Sequence, residues 1–184
     1  MTISDAQADL RRSYVGGGPG AFISGAIWFV AAWVEARHNI RTAFIALFFG
    51  GMLIYPLGLA ASRLIFRRAV ETNGNPMGPL ALESTIAMIG CLIAAWLILP
   101  HRPELVFPIA ALAVGTHYFA FKTAYGDRTY WLLAAIITAF GLAEIFGMTR
   151  LGGGMILAVG AVEVAFGILL TARAISARGD RETA

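Results

Sequence analysis

The sequence is poor in the residues that build most soluble catalytic sites. Its 184 residues include one cysteine and three histidines, and only 14% of them are charged. The single cysteine, Cys91, excludes a disulfide within the chain and leaves no metal-ligand spacing. Gly-x-Ser-x-Gly, Gly-Lys-Ser/Thr and Cys-x-x-Cys-His are also absent. We therefore expect no metal site and no cofactor, and an enzyme is the least favoured class.

Apolar residues take the place of the missing charge. They make up 58% of the chain, and the mean hydropathy is +0.72, whereas soluble domains are about 45–50% apolar and about 25% charged. Long runs with few charges are typical of membrane helices. The net charge of +3 comes from arginines that flank these runs. We therefore expect membrane lipids, and no nucleic acid, around this protein.

The order of the apolar runs predicts an all-α, polytopic membrane protein, folded as one compact bundle of six transmembrane helices. A polar arm, residues 1–15, precedes the first span, and a polar tail, residues 172–184, follows the last. The glycine-rich residues 16–20 predict a flexible lead into the first helix. The expected spans are about 21–36, 42–62, 79–99, 104–121, 129–148 and 151–171.

The basic residues predict the orientation of the bundle. Ten of the fourteen lie in the arm, the second and fourth connections and the tail; the other four are Arg37, Arg41, Arg102 and Arg150. Because Lys and Arg favour cytoplasmic loops, both termini are predicted to be cytoplasmic.

A weak internal repeat accompanies the spans. A shift of 63 residues aligns 31–33 with 94–96 and His38 with His101. The pattern describes three tandem helical hairpins, formed by spans one–two, three–four and five–six. Alanine-rich helices also align by chance, so common ancestry of the hairpins stays open.

Glu163 is the strongest candidate for a functional site. It lies in the middle of the last apolar run, about 16–18 Å along a helix that rises roughly 1.5 Å per residue. An unpaired charge at that depth is costly, so Glu163 is protonated, partnered or in contact with a wet cavity. Small residues at Gly154 and Ala158, and at Ala161 and Ala165, predict close helix packing on the face of Glu163. Two roles stay open: a proton- or cation-binding site, or a hydrogen bond that fixes the bundle.

Further polar candidates lie on the neighbouring spans. His117, with Tyr118 beside it, is placed at a depth similar to that of Glu83, and a Glu–His pair would satisfy both charges. A structural hydrogen bond between helices explains His117 equally well. Glu35 and Glu144 lie near the outer ends of their spans, where they form either an acidic outer vestibule or interfacial salt bridges. The site candidates are thus Glu163, His117, Glu83, Tyr118, Glu35 and Glu144.

The pattern of residues 17–20, followed by residues 24–28, resembles small bacterial membrane proteins that are grouped as families of unknown function. Gly17, Gly18, Pro19 and Gly20 carry it, together with Ser24-Gly25-Ala26-Ile27-Trp28 and the six-span layout. The resemblance implies a protein of the bacterial inner membrane and supplies no catalytic residues.

These observations favour a small transporter or channel-like protein, proton- or cation-linked, with Glu163 at its centre. The alternative is a non-catalytic scaffold, sensor or partner subunit whose buried polar groups only fix the packing. A membrane enzyme acting on a lipid or quinone is the third class. A homo-oligomer is open, since a chain of this size often completes a pore by dimerising.

Overall fold

The structure is a computed structural model that describes residues 1–149 and 151–182, and only the backbone of 178–182. Every regular element in these residues is helical, which confirms the all-α class. The helices are α1 Ile3–Ser13, α2 Gly18–Arg37, α3 Ile40–Gly51, α4 Ile54–Ala60, α5 Met77–Ile98, α6 Val106–Tyr125, α7 Thr129–Ile145 and α8 Gly153–Glu182. The final helix therefore continues well into the predicted polar tail.

Several of these helices suit a membrane, but the count differs from the expected six. Four segments are long and apolar enough to cross: Val15–Arg37, Met77–Ile98, Pro103–Tyr125 and Gly153–Ala177. A fifth crossing is formed if α3 and the bent segment that follows it, Ile54–Ile65, count as one span. The remaining helix, α7, is apolar but has only 17 residues. The described residues thus give four or five clear crossings.

The bend between α3 and α4 has a local cause. The two segments meet at an angle of 43°, and Met52 and Leu53 form a turn between them. Pro56 follows in the first turn of α4, and a proline lacks the N–H that would bond to the carbonyl four residues earlier. The missing N–H of Pro56 thus lies directly after the bend in the second expected span.

The polar arm is folded as a helix. Thr2 and Asp5 form a capping box at the start of α1. Their side chains accept hydrogen bonds from N–H groups of the first turn that have no partner within the helix. Asp9 is buried and accepts hydrogen bonds from the Thr72 N–H, at 2.8 Å, and from the Asn75 side-chain amide, at 3.0 Å. Helix α1 is thereby fixed to the connection of residues 66–76, and we call this side of the bundle the α1 end.

The charge state of Asp9 follows from these contacts. Burial alone would raise the pKa of its carboxyl group. The hydrogen bonds from the Thr72 N–H and the Asn75 amide, together with that from the nearby Arg12 guanidinium, outweigh burial and hold the pKa below its ordinary value. Asp9 is therefore ionised at neutral pH while it holds the connection.

The glycine cluster is a tight turn, whereas a flexible lead was expected. Val15, Gly16 and Gly17 have φ of 53°, 65° and 78°, a left-handed conformation that glycine adopts without steric cost. The Tyr130 hydroxyl donates to the Gly16 carbonyl at 2.7 Å. A Cβ on Gly17 would lie 2.1 Å from that same hydroxyl oxygen. The turn is thus packed against α7 and aims α2 into the bundle.

The pairing of helices departs from three tandem hairpins. Helix α2 packs along both α8 and α3, and α6 packs along both α7 and α5, whereas α7 and α8 touch only briefly. The α2–α8 contact is close because a Cβ on Gly25 would lie 2.6 Å from the Gly160 carbonyl oxygen, and one on Gly167 would lie 2.5 Å from the Phe22 nitrogen. The third predicted hairpin is therefore not a packing unit.

Candidate functional site

Glu163 lies in the interior of the bundle, on the face of α8 that meets α2 and α6. Its side chain is 0% exposed. Gly160 and Gly167 lie one turn before and one turn after it on this face, and their missing side chains let α2 approach closely. Gly154, Ala161 and Ala165, which the sequence had marked as contact residues, are exposed instead. The burial of Glu163 agrees with the prediction, but of the four paired small residues only Ala158 is even half-buried.

The two carboxylate oxygens of Glu163 have different surroundings. Oε1 accepts a hydrogen bond from the Tyr118 hydroxyl at 2.8 Å. Oε2 is shielded from solvent and has no hydrogen-bond partner among the described residues. A buried polar atom without a partner costs about 1–3 kcal/mol.

Ser24 completes this cluster from α2. Its hydroxyl faces both Glu163 and Tyr118, and the residue is 5% exposed. Sequence reasoning did not select Ser24, because a single serine beside a glycine is common in membrane helices. Its place one residue before Gly25, where α2 approaches α8 closely, is the signal that was available.

Tyr118 connects Glu163 to a row of aromatic rings. Its ring stacks on that of Tyr130, with centroids 6.2 Å apart, and Tyr130 stacks on Tyr125 at 5.4 Å. All three tyrosines are buried. Since successive tyrosines belong to α6, α7 and α6, the row joins these helices from Glu163 to the α1 end.

His117 points away from Glu163 and towards α5. Its Nδ1 lies 2.9 Å from the Ser84 hydroxyl oxygen, and its ring meets Phe121 edge-on at 4.5 Å. Glu83, the partner proposed for it, is exposed. The structure thus brings Glu163 and Tyr118 together, pairs His117 with Ser84, and leaves Glu83 on the outside of the bundle.

The end of the bundle opposite α1 contains a cavity of about 520 Å³. Glu35, Glu144 and Glu104 lie in its wall, and its apolar lining includes the buried Met155 and Ile156. The two carboxylates that the sequence assigned to an outer vestibule therefore share one cavity. Ile156 also precedes Glu163 by two helical turns, about 10 Å, on the same face of α8.

The three carboxylates in the wall of this cavity are held by local contacts. Oε1 of Glu144 accepts hydrogen bonds from the Thr149 hydroxyl, at 3.3 Å, and from the Leu151 N–H. Glu104 pairs with Arg102 at 2.5 Å, and an oxygen of Glu35 approaches the backbone of Gly153 at the start of α8. Arg150, six residues after Glu144, lies outside the described part of the chain.

The candidate site is built around a single buried carboxylate, that of Glu163. Among the described residues, no group of three or more His, Cys, Asp or Glu side chains is arranged to hold a metal ion. Glu163 combines full burial, one donated hydrogen bond and one open oxygen. A carboxylate in these surroundings can take up and release a proton.

Comparison with known proteins assigns the chain to a family. Residues 3–173 match the model of the family of unknown function DUF7010, so the chain belongs to that family. No curated protein and no solved structure matches the chain.

Proposed function

Because its family carries no assigned activity, we propose from the geometry that this member is a small membrane transporter in which Glu163 binds a proton or a cation. The observation that carries the proposal is the fully buried carboxylate of Glu163, whose Oε2 has no hydrogen-bond partner among the described residues although the Ser24 hydroxyl lies nearby. Ionisable groups inside a membrane are rare and expensive, and they usually mark ion pathways or proton relays. A purely structural hydrogen bond would be made at lower cost by an amide or a hydroxyl.

In this proposal the protein crosses the membrane six times. Helix α7 has 17 residues, the lower end of the range of about 17–25 that spans a bilayer. The exposed side chains of α5 include Leu82, Ile86, Ile93 and Leu97, and an apolar surface of this kind is suited to lipid. With the basic residues clustered at the α1 end, both termini are cytoplasmic, in a bacterial inner membrane.

The proposed route begins at the acidic cavity opposite α1. Carboxylates in a cleft with apolar walls concentrate cations by focusing the electric field. From there Ile156 and Val159 lead along α8 to Glu163, and both side chains are buried in this structure. Access of a cation to Glu163 therefore requires α8 and the helices packed on it to separate. Glu163 gives up its proton in exchange for the cation.

The proposal is tested by transport in proteoliposomes. Wild-type protein and the variant Glu163→Gln are reconstituted at equal density, and uptake of sodium, potassium and small organic amines is followed under an imposed pH gradient. Glutamine keeps the size of the side chain and removes its proton exchange. We expect wild-type protein to accumulate at least one of these cations, and the variant to lose that uptake by about two orders of magnitude, the scale of a positioned proton-transfer group.

Glu83→Gln is the matched control, since Glu83 is exposed and contributes no contact to the site. It should transport as the wild-type protein does. Transport that survives unchanged in Glu163→Gln would remove the proposal.

A second function, that of a scaffold or partner subunit, is favoured by one observation. Glu163, Tyr118 and Ser24 connect α8, α6 and α2, and the α2–α8 contact is locked by glycines. A cluster that ties three helices together stabilises a rigid bundle. Under this alternative, Glu163→Gln lowers the unfolding temperature in detergent, or the recovery of a partner protein, and no cation is transported.

A further inference from the structure

The cavity opposite α1 is larger than an inorganic ion requires. Its volume of about 520 Å³ lies within the range of about 300–1,000 Å³ that is usual for pockets that bind small organic ligands. Among the described residues, no three His, Cys, Asp or Glu side chains are arranged to hold a metal ion. The size of the cavity therefore suits a carbon-containing ligand.

The floor of the cavity is apolar and fixed in place. Phe107, Met155 and Ile156 lie in its wall, and each is at most 3% exposed. The Phe107 ring meets that of Phe44 edge-on, with centroids 6.2 Å apart. Because these side chains belong to the hydrophobic core of the bundle, the apolar surface is formed before any ligand binds.

The wall of the cavity also has negative charge that no cation of the described residues neutralises. Glu104 is paired with Arg102, whereas Glu35 and Glu144 form no ion pair within the described part of the chain. Oε1 of Glu144 accepts two hydrogen bonds from its own loop. Neither oxygen of Glu35 accepts one from the residues that the structure describes, so Glu35 is the carboxylate best able to bind a cation.

Glu35 lies close to the apolar floor. It is half-buried near the end of α2, and a Cβ on Gly153 would lie 2.8 Å from its Oε2. Ile156 follows Gly153 by three residues, which places it on the same face of α8 and about 4.5 Å further along the helix. A small ligand can therefore contact the carboxylate and the apolar floor at the same time.

We propose that this cavity binds an organic amine with an apolar body. The ammonium group lies at Glu35, and the hydrocarbon part covers Phe107, Met155 and Ile156. An ammonium group has N–H donors and no acceptor, and a carboxylate has acceptors only, so the two are complementary. This inference rests on the proposed function, because it names the class of cation that Glu163 exchanges for its proton.

The test is isothermal titration calorimetry of the full-length protein in lipid nanodiscs with ethyl-, butyl- and hexylammonium chloride. Empty nanodiscs give the background from binding to lipid. We expect the affinity to rise by up to about fourfold for each added methylene, the scale expected for burying one CH₂ group. Sodium chloride has the charge without the hydrocarbon, and hexanol has the hydrocarbon without the charge. Both should bind more weakly than hexylammonium.

Variants of Glu35 test the charged end of the site. Glu35→Gln should weaken the binding of hexylammonium by about tenfold or more, the scale of a hydrogen bond to a charged group. Glu35→Asp keeps the charge and should recover most of this loss, which separates a lost contact from a damaged fold. Glu83→Gln is the matched control. It also removes one carboxylate, but from the exposed side of α5 and away from the cavity, so it should bind as the wild-type protein does.

The outcomes distinguish this inference from the proposed function. Hexylammonium that binds equally well to the wild-type protein and to Glu35→Gln overturns the inference, as does an affinity that is independent of chain length. Either result leaves the transport of other cations by way of Glu163 standing. Glu163→Gln should still bind hexylammonium, since Glu163 lies about 10 Å beyond Ile156 along α8. Amine binding that depends on Glu35, in a protein that transports no cation, supports the binding site and overturns the proposed function alone.

Discussion

The Tyr118 hydroxyl donates a hydrogen bond to Oε1 of Glu163 across 2.8 Å, between helices α6 and α8. Both residues are almost fully buried. Removal of the Tyr118 hydroxyl takes this hydrogen bond away from Oε1. Inside the bundle, the loss of a hydrogen-bond partner costs about 1–3 kcal/mol.

Tyr118→Phe should therefore lower the free energy of unfolding by about 1–3 kcal/mol. The measurement is reversible unfolding in mild detergent, or the shift in melting temperature where unfolding is irreversible. Tyr55→Phe is the control, because Tyr55 is 66% exposed and its loss should change little. Equal stabilities of the two variants would show that the Tyr118 contact does not stabilise the bundle.

The glycine contact between α2 and α8 gives a second prediction. A Cβ on Gly25 would lie 2.6 Å from the Gly160 carbonyl oxygen and 2.7 Å from the Val164 nitrogen. Backbone atoms cannot rotate away, so Gly25→Ala should force the helices apart and cost about 1–3 kcal/mol. Thermal unfolding of the purified variant measures this effect.

The matched control for that substitution is Gly90→Ala on α5, where a Cβ would meet nothing within 4 Å. Alanine favours a helix over glycine by about 1 kcal/mol, so this variant should be neutral or stabilised. A Gly25→Ala protein as stable as Gly90→Ala would contradict the close packing of α2 on α8.

The pH dependence of the α1 end follows from Asp9. Its hydrogen bonds outweigh burial and hold its pKa below the ordinary value of 3.8. The stability that Asp9 contributes is therefore complete above pH of about 4 and is lost as the pH falls below that value, through the lowered folded pKa. The protection factors of the amides of residues 66–76, corrected for the intrinsic exchange rate at each pH, should fall in this range in the wild-type protein.

Asp9→Asn should remove this dependence, because asparagine carries no charge to lose; exchange of residues 66–76 would already be fast at neutral pH. Asp5→Asn is the comparison, since Asp5 contacts only the first turn of α1. Unchanged exchange in Asp9→Asn at neutral pH would mean that Asp9 does not hold the connection.

The burial of Glu163 could be predicted from the sequence because depth in a membrane is a one-dimensional property. Glu163 falls in the middle of an apolar run, and no knowledge of other helices is needed to see that its charge is costly there. The side of helix α8 on which Glu163 is buried could also have been predicted. Gly160 and Gly167 lie at −3 and +4 from Glu163, on its own side of the helix, whereas Ala161 and Ala165 lie near the opposite side.

The partners of Glu163 could not be predicted in this way. Tyr118 and Ser24 reach it only because α6 and α2 both pack on α8, and the order of spans does not specify which helices are neighbours. The pairing of His117 failed for a related reason. Depth placed His117 level with residues 83–85, but one residue along a helix rotates the side chain by about 100°, and that rotation selects Ser84 over Glu83.

The number of membrane crossings also could not be predicted from hydropathy alone. The apolar run of the fifth expected span extends to about residue 148, but helix α7 ends at Ile145. The carboxylate of Glu144 then accepts a hydrogen bond from the Leu151 N–H. Local capping of this kind shortens a helix without changing the hydropathy of its sequence.

The most direct test of the central claim is proton movement coupled to a cation in sealed proteoliposomes. A pH-sensitive dye is trapped in the lumen, and a cation found to be transported is added outside. The account predicts a change in luminal pH with wild-type protein and with Glu83→Gln, and none with Glu163→Gln. A luminal pH change of equal size in Glu163→Gln would contradict it.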